Sequence, residues 1–258
     1  MPKVSVRGIK INYIAGENLE KSRPTLLMIH GAGQSSLTWE YQIDVLKDHL
    51  GVNLIIPDLP GHGRSEGRGC KTIREYTEFI KDFVDTLGLE RLIPVGHSMG
   101  GGIAQVFTLD YPKMVYACIL VGTGARLRVA KETLETVKSD YETFCMMAPT
   151  RSFSPSSPEE LKRRFIEGLL KTPQTTSQWD LLACDEFDIM NEVEGIKSPT
   201  LIISADEDIL TPVKYGEYLN LKIRDSRLLV IKNAGHFMMQ ERPDEFNRIL
   251  IEFLDSIL

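Results

Sequence analysis

Only four cysteines occur in the 258 residues, Cys70, Cys118, Cys145 and Cys184. None has C-x-x-C spacing or a histidine pair beside it, so neither a thiol redox motif nor a zinc site is indicated, and free packing thiols are expected. Long basic clusters are missing too. The densest is Lys162-Arg163-Arg164, and 30 Lys+Arg against 36 Asp+Glu leave a formal net charge of −6. That balance lacks the basic footprint a nucleic-acid backbone requires. No stretch approaches the roughly 20 apolar residues that cross a bilayer, so no membrane span is expected. The opening residues, Met1-Pro2-Lys3-Val4-Ser5-Val6-Arg7, lack the apolar core and small-residue cleavage site of a secretory signal, which points to a cytoplasmic protein.

What is present is apolar material in a recognisable order. Hydrophobic residues make up 42% of the chain, enough for a sizeable core. Val4-Ser5-Val6 and Ile9-Lys10-Ile11-Asn12-Tyr13 alternate around Arg7-Gly8, the pattern of an antiparallel hairpin. Continuous apolar runs follow at 26–29, 52–56, 92–95, 115–121, 201–203 and 228–231, as in strands covered on both faces. Between them lie helix-length amphipathic segments at 72–87, 98–110, 213–221 and 244–258. Strand alternating with helix predicts an α/β domain with a mostly parallel, doubly wound sheet, whose sites lie at the carboxyl ends of the strands. The rhythm breaks between 124 and 195, where helical pieces at 130–147, 158–170 and 177–182 surround the Ser/Pro-rich stretch 152–158. The expected organisation is a core domain from 1–123 and 196–258 with a helical cap inserted at 124–195.

The chemical signal is Gly96-His97-Ser98-Met99-Gly100, which follows an apolar strand and opens a helix. A tight strand-to-helix turn holds a serine hydroxyl clear of the sheet, and flanking glycines avoid collision with the neighbouring backbone. A serine nucleophile needs a base. Of the five histidines, His49 falls in an expected surface helix, His97 belongs to the turn itself, and His30 and His62 sit in glycine-rich turns suited to ordering the backbone. His236 alone follows a late strand, as the chain order serine, acid, histidine requires. Asp208, four residues before Pro212, is the chosen carboxylate to orient the imidazole, with Asp206 and Glu207 as alternatives. The N–H groups of Met99 and of Ala32, the latter within His30-Gly31-Ala32-Gly33, are the expected oxyanion donors, although that loop also reads as a plain tight turn.

His30-Gly31-Ala32-Gly33, Asp58-Leu59-Pro60-Gly61-His62-Gly63-Arg64-Ser65, the Ser98 turn, Asp208 and His236 together resemble the α/β-hydrolase fold superfamily over nearly the whole chain. The resemblance implies an eight-stranded, mostly parallel sheet with a cap after the sixth strand, and hydrolysis that needs no cofactor. No metal or nucleotide motif is visible, and Gly61, Gly63 and Ser65 fit a turn bordering the site rather than a phosphate loop.

Serine at position 98 excludes the usual haloalkane dehalogenase and epoxide hydrolase chemistry, which needs a carboxylate there. The resemblance also covers carbon–carbon bond hydrolases, which typically carry tryptophan after the catalytic histidine where this chain has Phe237. Proline iminopeptidases carry tryptophan after the serine where this chain has Met99. The expectation is therefore a serine carboxylesterase acting on small to medium-chain esters, as a monomer or homodimer. A carbon–carbon bond hydrolase, another acyl-transfer enzyme with the same triad, and a ligand-binding receptor on this scaffold are the alternatives. Phe144, Met147, Trp179 and Phe237 are the expected substrate-pocket residues, and Arg126 and Arg128 could meet an anionic group.

Overall fold

A computed structural model of the chain describes residues 2–16, 19–47 and 51–258; the histidine at position 49, expected in a surface helix, lies outside them. The chain opens with the expected hairpin, β1 (Lys3–Val6) and β2 (Ile9–Ala15), paired antiparallel. Its turn residues Arg7 and Gly8 both have positive φ, 49° and 81°, the geometry whose twist matches that of the strands it joins. Then come β3 (Thr25–Ile29), α1 (Glu40–Leu46), β4 (Asn53–Pro57), α2 (Ile73–Thr86), β5 (Leu92–His97), α3 (Met99–Asp110) and β6 (Cys118–Val121). After β6 lie α4 (Lys131–Ser139), α5 (Tyr141–Met147), α6 (Pro149–Ser152), α7 (Glu159–Lys171) and α8 (Gln174–Glu186). The chain closes with β7 (Thr200–Ala205), α9 (Val213–Lys222), β8 (Ser226–Ile231), α10 (Met238–Glu241) and α11 (Pro243–Ile257).

The eight strands form one sheet in the order β1-β2-β4-β3-β5-β6-β7-β8. The hairpin joins antiparallel, and every pair from β4 to β8 is parallel. Strands β3 to β7 are buried along their full length, as their unbroken apolar runs require. The apolar run expected as a strand from 115 is shorter here, because Val115 makes only an isolated bridge to Leu92.

Alternate residues of each strand feed two cores, one on each face. Leu27, Ile29 and Leu120 pack with Tyr76, Phe83 and Phe107 on one side, while Met28, Val95 and Ile203 pack with Trp39, Phe246 and Leu250 on the other. In α2 the Thr72 hydroxyl accepts from the Glu75 amide, a cap worth about 1 kcal/mol, and Ile73, Tyr76, Ile80, Phe83 and Val84 repeat at helical spacing to fill the core.

Order reverses at β3, whose neighbours are β4 on one side and β5 on the other, so a crevice opens above the carboxyl ends of β3 and β5. Helices α4 to α8 occupy the expected insertion. The segment expected as one helix from 130 to 147 is two, broken at Asp140, whose side chain accepts from the Thr143 amide to start α5. The neck of the insertion is closed by Leu127 N–H to Phe187 O (3.2 Å) and Ile189 N–H to Ala125 O (2.8 Å). Among the described residues no helix is long and apolar enough to cross a membrane.

Candidate active site

Loops from the carboxyl ends of β3, β5, β7 and β8 converge on a cavity of about 200 Å³, where Ala32, Ser98, Thr211 and His236 all reach the wall. Ser98 sits between β5 and α3 with φ 54° and ψ −117°, a conformation costing a non-glycine residue about 1–3 kcal/mol. The surroundings enforce it. The Ser98 amide donates to Val121 O at 3.0 Å, and the Thr123 hydroxyl donates to Ser98 O at 2.9 Å. A Cβ on Gly96 would fall 2.1 Å from Gly100 O, and one on Gly100 would fall 2.3 Å from Ile29 O. Both flanking glycines are therefore required by close backbone approach.

His236 and Asp208, 28 residues apart in sequence, meet with Nδ1 to Oδ2 at 2.8 Å, and both are almost fully buried. Asp208 is well supplied with donors: Oδ1 accepts from the Leu210 and Thr211 amides at 2.8 and 2.9 Å, and Oδ2 from the Thr211 hydroxyl at 2.7 Å. Burial opposes its charge, but the adjacent His236 and these hydrogen bonds outweigh burial and hold the carboxyl down at about 2. An Asp208 ionised at neutral pH fixes the proton of His236 on Nδ1 and leaves Nε2 as the basic nitrogen. Thr211, which the sequence reading passed over, donates to the carboxylate and lies 3.2 Å from His236 Nδ1. Its signal was present in Asp208-Ile209-Leu210-Thr211, an Asx-turn spacing. The two alternative acids have other partners: Asp206 accepts from the Asn233 amide (2.8 Å), and Glu207 from the Ser154 hydroxyl (2.5 Å).

The loop after β3 presents the Ala32 amide, and α3 presents the Met99 amide; neither has an acceptor among the described residues. Unpaired amides beside a serine can hold a developing oxyanion without reorganising. The loop itself is tied down. His30 Nδ1 donates to Gly31 O at 2.9 Å while Nε2 accepts from the Leu59 amide at 3.0 Å, which defines a neutral ring; burial, then the charge of His62, lower it to about 4. His97, below the serine, donates from Nε2 to His236 O at 2.9 Å and is kept neutral by burial and by His236.

The insertion supplies the far wall. Phe144, Phe165, Leu169 and Leu181 line the cavity together with Phe237, which stacks on Phe153 with ring centroids 5.1 Å apart. Of the four expected pocket residues, Phe144 and Phe237 are thus at the cavity wall. Met147 and Trp179 do not line the cavity. Met147, at the end of α5, is 55% exposed, and Trp179 packs under Lys71, whose Nζ is 5.4 Å from the ring centroid. Arg128 reaches the cavity wall, as does Arg151, which was not anticipated; Arg126 and Arg128 both lie within ion-pair distance of Asp188, at 3.7 and 3.9 Å. All four cysteines are free, and among the described residues no group of three or more His, Cys, Asp or Glu is placed to hold a metal ion.

Residues 24–243 match a family model described as alpha/beta hydrolase fold. A curated relative, 2-hydroxy-6-oxo-6-phenylhexa-2,4-dienoate hydrolase of Comamonas testosteroni, is 29% identical over 252 residues, which cover 89% of this chain and 87% of that protein. Among solved structures, a thermophilic esterase superposes with a TM-score of 0.82 at 33% identity, covering 99% of this chain and 97% of its own. The enol-lactonase from Burkholderia xenovorans LB400 superposes with a TM-score of 0.90 at 24% identity, covering 98% and 100%.

Proposed function

The chain belongs to the α/β-hydrolase fold family, and from that premise we propose that it is a serine carboxylesterase acting on small to medium-chain esters through an acyl-enzyme. Ser98 attacks the ester carbonyl as His236 Nε2 takes its proton, and the Ala32 and Met99 amides hold the oxyanion of the tetrahedral intermediate. The same imidazole then protonates the departing alcohol. Water, activated by His236, releases the acid and restores Ser98. Asp208 keeps the ring in the working tautomer and stabilises the imidazolium that forms.

One observation carries this reading: a strained Ser98 lines the same cavity as a buried His236 whose Nδ1 is engaged by an ionised Asp208. Helices α4 to α8, residues 124–195, act as a cap over the acyl pocket, with Phe144 and Phe237 in contact with substrate. The pocket is largely apolar and small, which suits a short acyl chain. A small-molecule ester is the substrate, handled in the cytoplasm without a cofactor.

The second reading is a carbon–carbon bond hydrolase with the same three residues, favoured by the dienoate hydrolase relative. Phe237 in place of the tryptophan typical of that group argues for the ester. The test is hydrolysis of 4-nitrophenyl esters of graded acyl length beside a vinylogous diketone, with Ser98→Ala as control. Ester turnover that peaks at a short chain and vanishes in the control is expected. Turnover of the diketone alone would replace the first reading by the second, and turnover of neither would overturn both.

A further inference from the structure

A second aspartate–histidine pair lies outside the triad, and its chemistry is different. Asp180 on α8 and His62 in the loop after β4 have side chains with no solvent exposure, and their Oδ2 and Nε2 are 2.7 Å apart. Asp180 Oδ2 also accepts from the Gly33 amide at 2.8 Å, and Oδ1 accepts from the Tyr76 hydroxyl at 2.5 Å. His62 Nδ1 faces Pro60 O at 3.0 Å. With an acceptor on each ring nitrogen, His62 keeps both protons; burial opposes the charge, but Asp180 and Pro60 outweigh it and raise the ring above its ordinary value. Two charges are thus sealed in the interior, although apolar side chains of similar volume often stabilise a core equally well or better. What an apolar residue could not do is accept the Gly33 amide.

We propose that Asp180 is a positioning residue for the oxyanion loop, through which the insertion sets the aim of the Ala32 N–H. The inference rests on the hydrolase reading above. Ala32 lies between two peptide planes, and each is pinned. The plane carrying the Ala32 N–H also carries Gly31 O, held by the Nδ1–H of His30. The following plane carries the Gly33 N–H, held by Asp180. Gly33 has φ 67°, and its carbonyl accepts from the Thr172 hydroxyl at 2.9 Å, so the insertion grips this residue twice. His62 joins the two restraints: its ring is 4.9 Å from His30, and its charge helps keep His30 neutral, with the proton on Nδ1 where Gly31 O needs it. The imidazolium also neutralises Asp180, so no bare carboxylate stands near an oxyanion site. An open insertion would release Gly33, whereas a docked one completes the donor pair.

The test is Asp180→Asn, nearly the same shape without the charge. Activity is measured on a 4-nitrophenyl ester and normalised to sites titrated with a fluorophosphonate. Misplacing a donor by a fraction of an ångström should lower kcat by about 10-fold or more while KM moves less than about threefold. Affinity for a trifluoromethyl ketone, which forms a tetrahedral adduct, should fall with kcat. Tyr116→Phe, which removes a partly buried hydrogen bond to Ile257 O at the C-terminal helix, should leave kcat per site unchanged. If Asp180→Asn does not fold, Thr172→Val decides: a kcat loss at constant KM supports the proposal, and an unchanged kcat overturns it. Unchanged kcat in a folded Asp180→Asn, with Ser98→Ala dead, overturns the positioning role and leaves the hydrolase reading standing. Hydrolysis that survives Ser98→Ala would instead overturn the reading itself.

Discussion

Asp208–His236 and Asp180–His62 are almost the same object by distance and burial, 2.8 and 2.7 Å between side chains that water barely reaches. They differ in what the second ring nitrogen faces. His236 Nε2 bonds to no atom among the described residues, and the ring lines the cavity beside Ser98. Serine–imidazole hydrogen bonds in unliganded sites commonly tighten only when substrate arrives. His62 has an acceptor on both nitrogens and does not line the cavity at Ser98. A base needs a free lone pair, and a ring holding two acceptors has none to give. The same pairing of residue types therefore leaves a lone pair open for proton transfer in one place and fixes a cation in the other.

Substitutions in the proposed triad should separate the two pairs most visibly. His236→Gln should lower kcat about 10⁴-fold or more with KM little changed, measured per folded protein. Asp208→Asn should lower it about 10³- to 10⁴-fold by allowing the wrong tautomer. The same isosteric change at Asp180 should cost only about 10-fold, so matched loss in the two Asn variants would contradict the division of roles.

Stability against pH sharpens the contrast, because the two pairs are linked to protons with opposite sign. Asp208 is lowered to about 2, so its contribution is complete above the ordinary carboxyl value, about 4, and is lost as pH falls through about 2. His62 is raised, so its contribution is complete below about 6.5 and is lost as pH rises through its raised value. His30, lowered to about 4, adds a loss as pH falls from about 6.5 to about 4. Melting temperature followed from pH 2 to 9 should show Asp208→Asn flattening the acid arm and His62→Gln the alkaline arm. A His62→Gln profile parallel to wild type would remove the cationic assignment.

The smallest expected effect is at the cavity rim. Arg128 and Arg151 line the cavity and no carboxylate does. Arg151→Gln should raise KM for a hemisuccinate ester severalfold relative to the butyrate ester of the same alcohol, and added salt should shrink the difference. Equal KM changes for both esters would show that the rim does not sense charge.

The turn around Ser98 was legible because each glycine answers a backbone approach that permits no side chain, and the parallel strands because burial on both faces erases alternation. Asp208 could be chosen over its neighbours from its distance to Pro212. The pocket side of the insertion was not legible in the same way. Trp179 and Asp180 are adjacent in α8, yet the carboxylate is the buried one and the indole the one turned to Lys71. Hydrophobicity alone assigns them the other way round. Asp180 is drawn inward by Gly33, His62 and Tyr76, residues 104 to 147 positions away, and no local pattern announces partners so distant. Met147 closes α5 one turn beyond Phe144, and only the earlier of the two reaches the cavity, which their shared apolar character does not distinguish.

The proposed function stands or falls on Ser98, activated by His236, as the nucleophile. Reaction with a fluorophosphonate, followed by intact and peptide mass spectrometry, tests it most directly. One adduct per chain is expected, on Ser98, absent in Ser98→Ala and strongly slowed in His236→Gln. No adduct, an adduct on another residue, or labelling indifferent to His236 would contradict it.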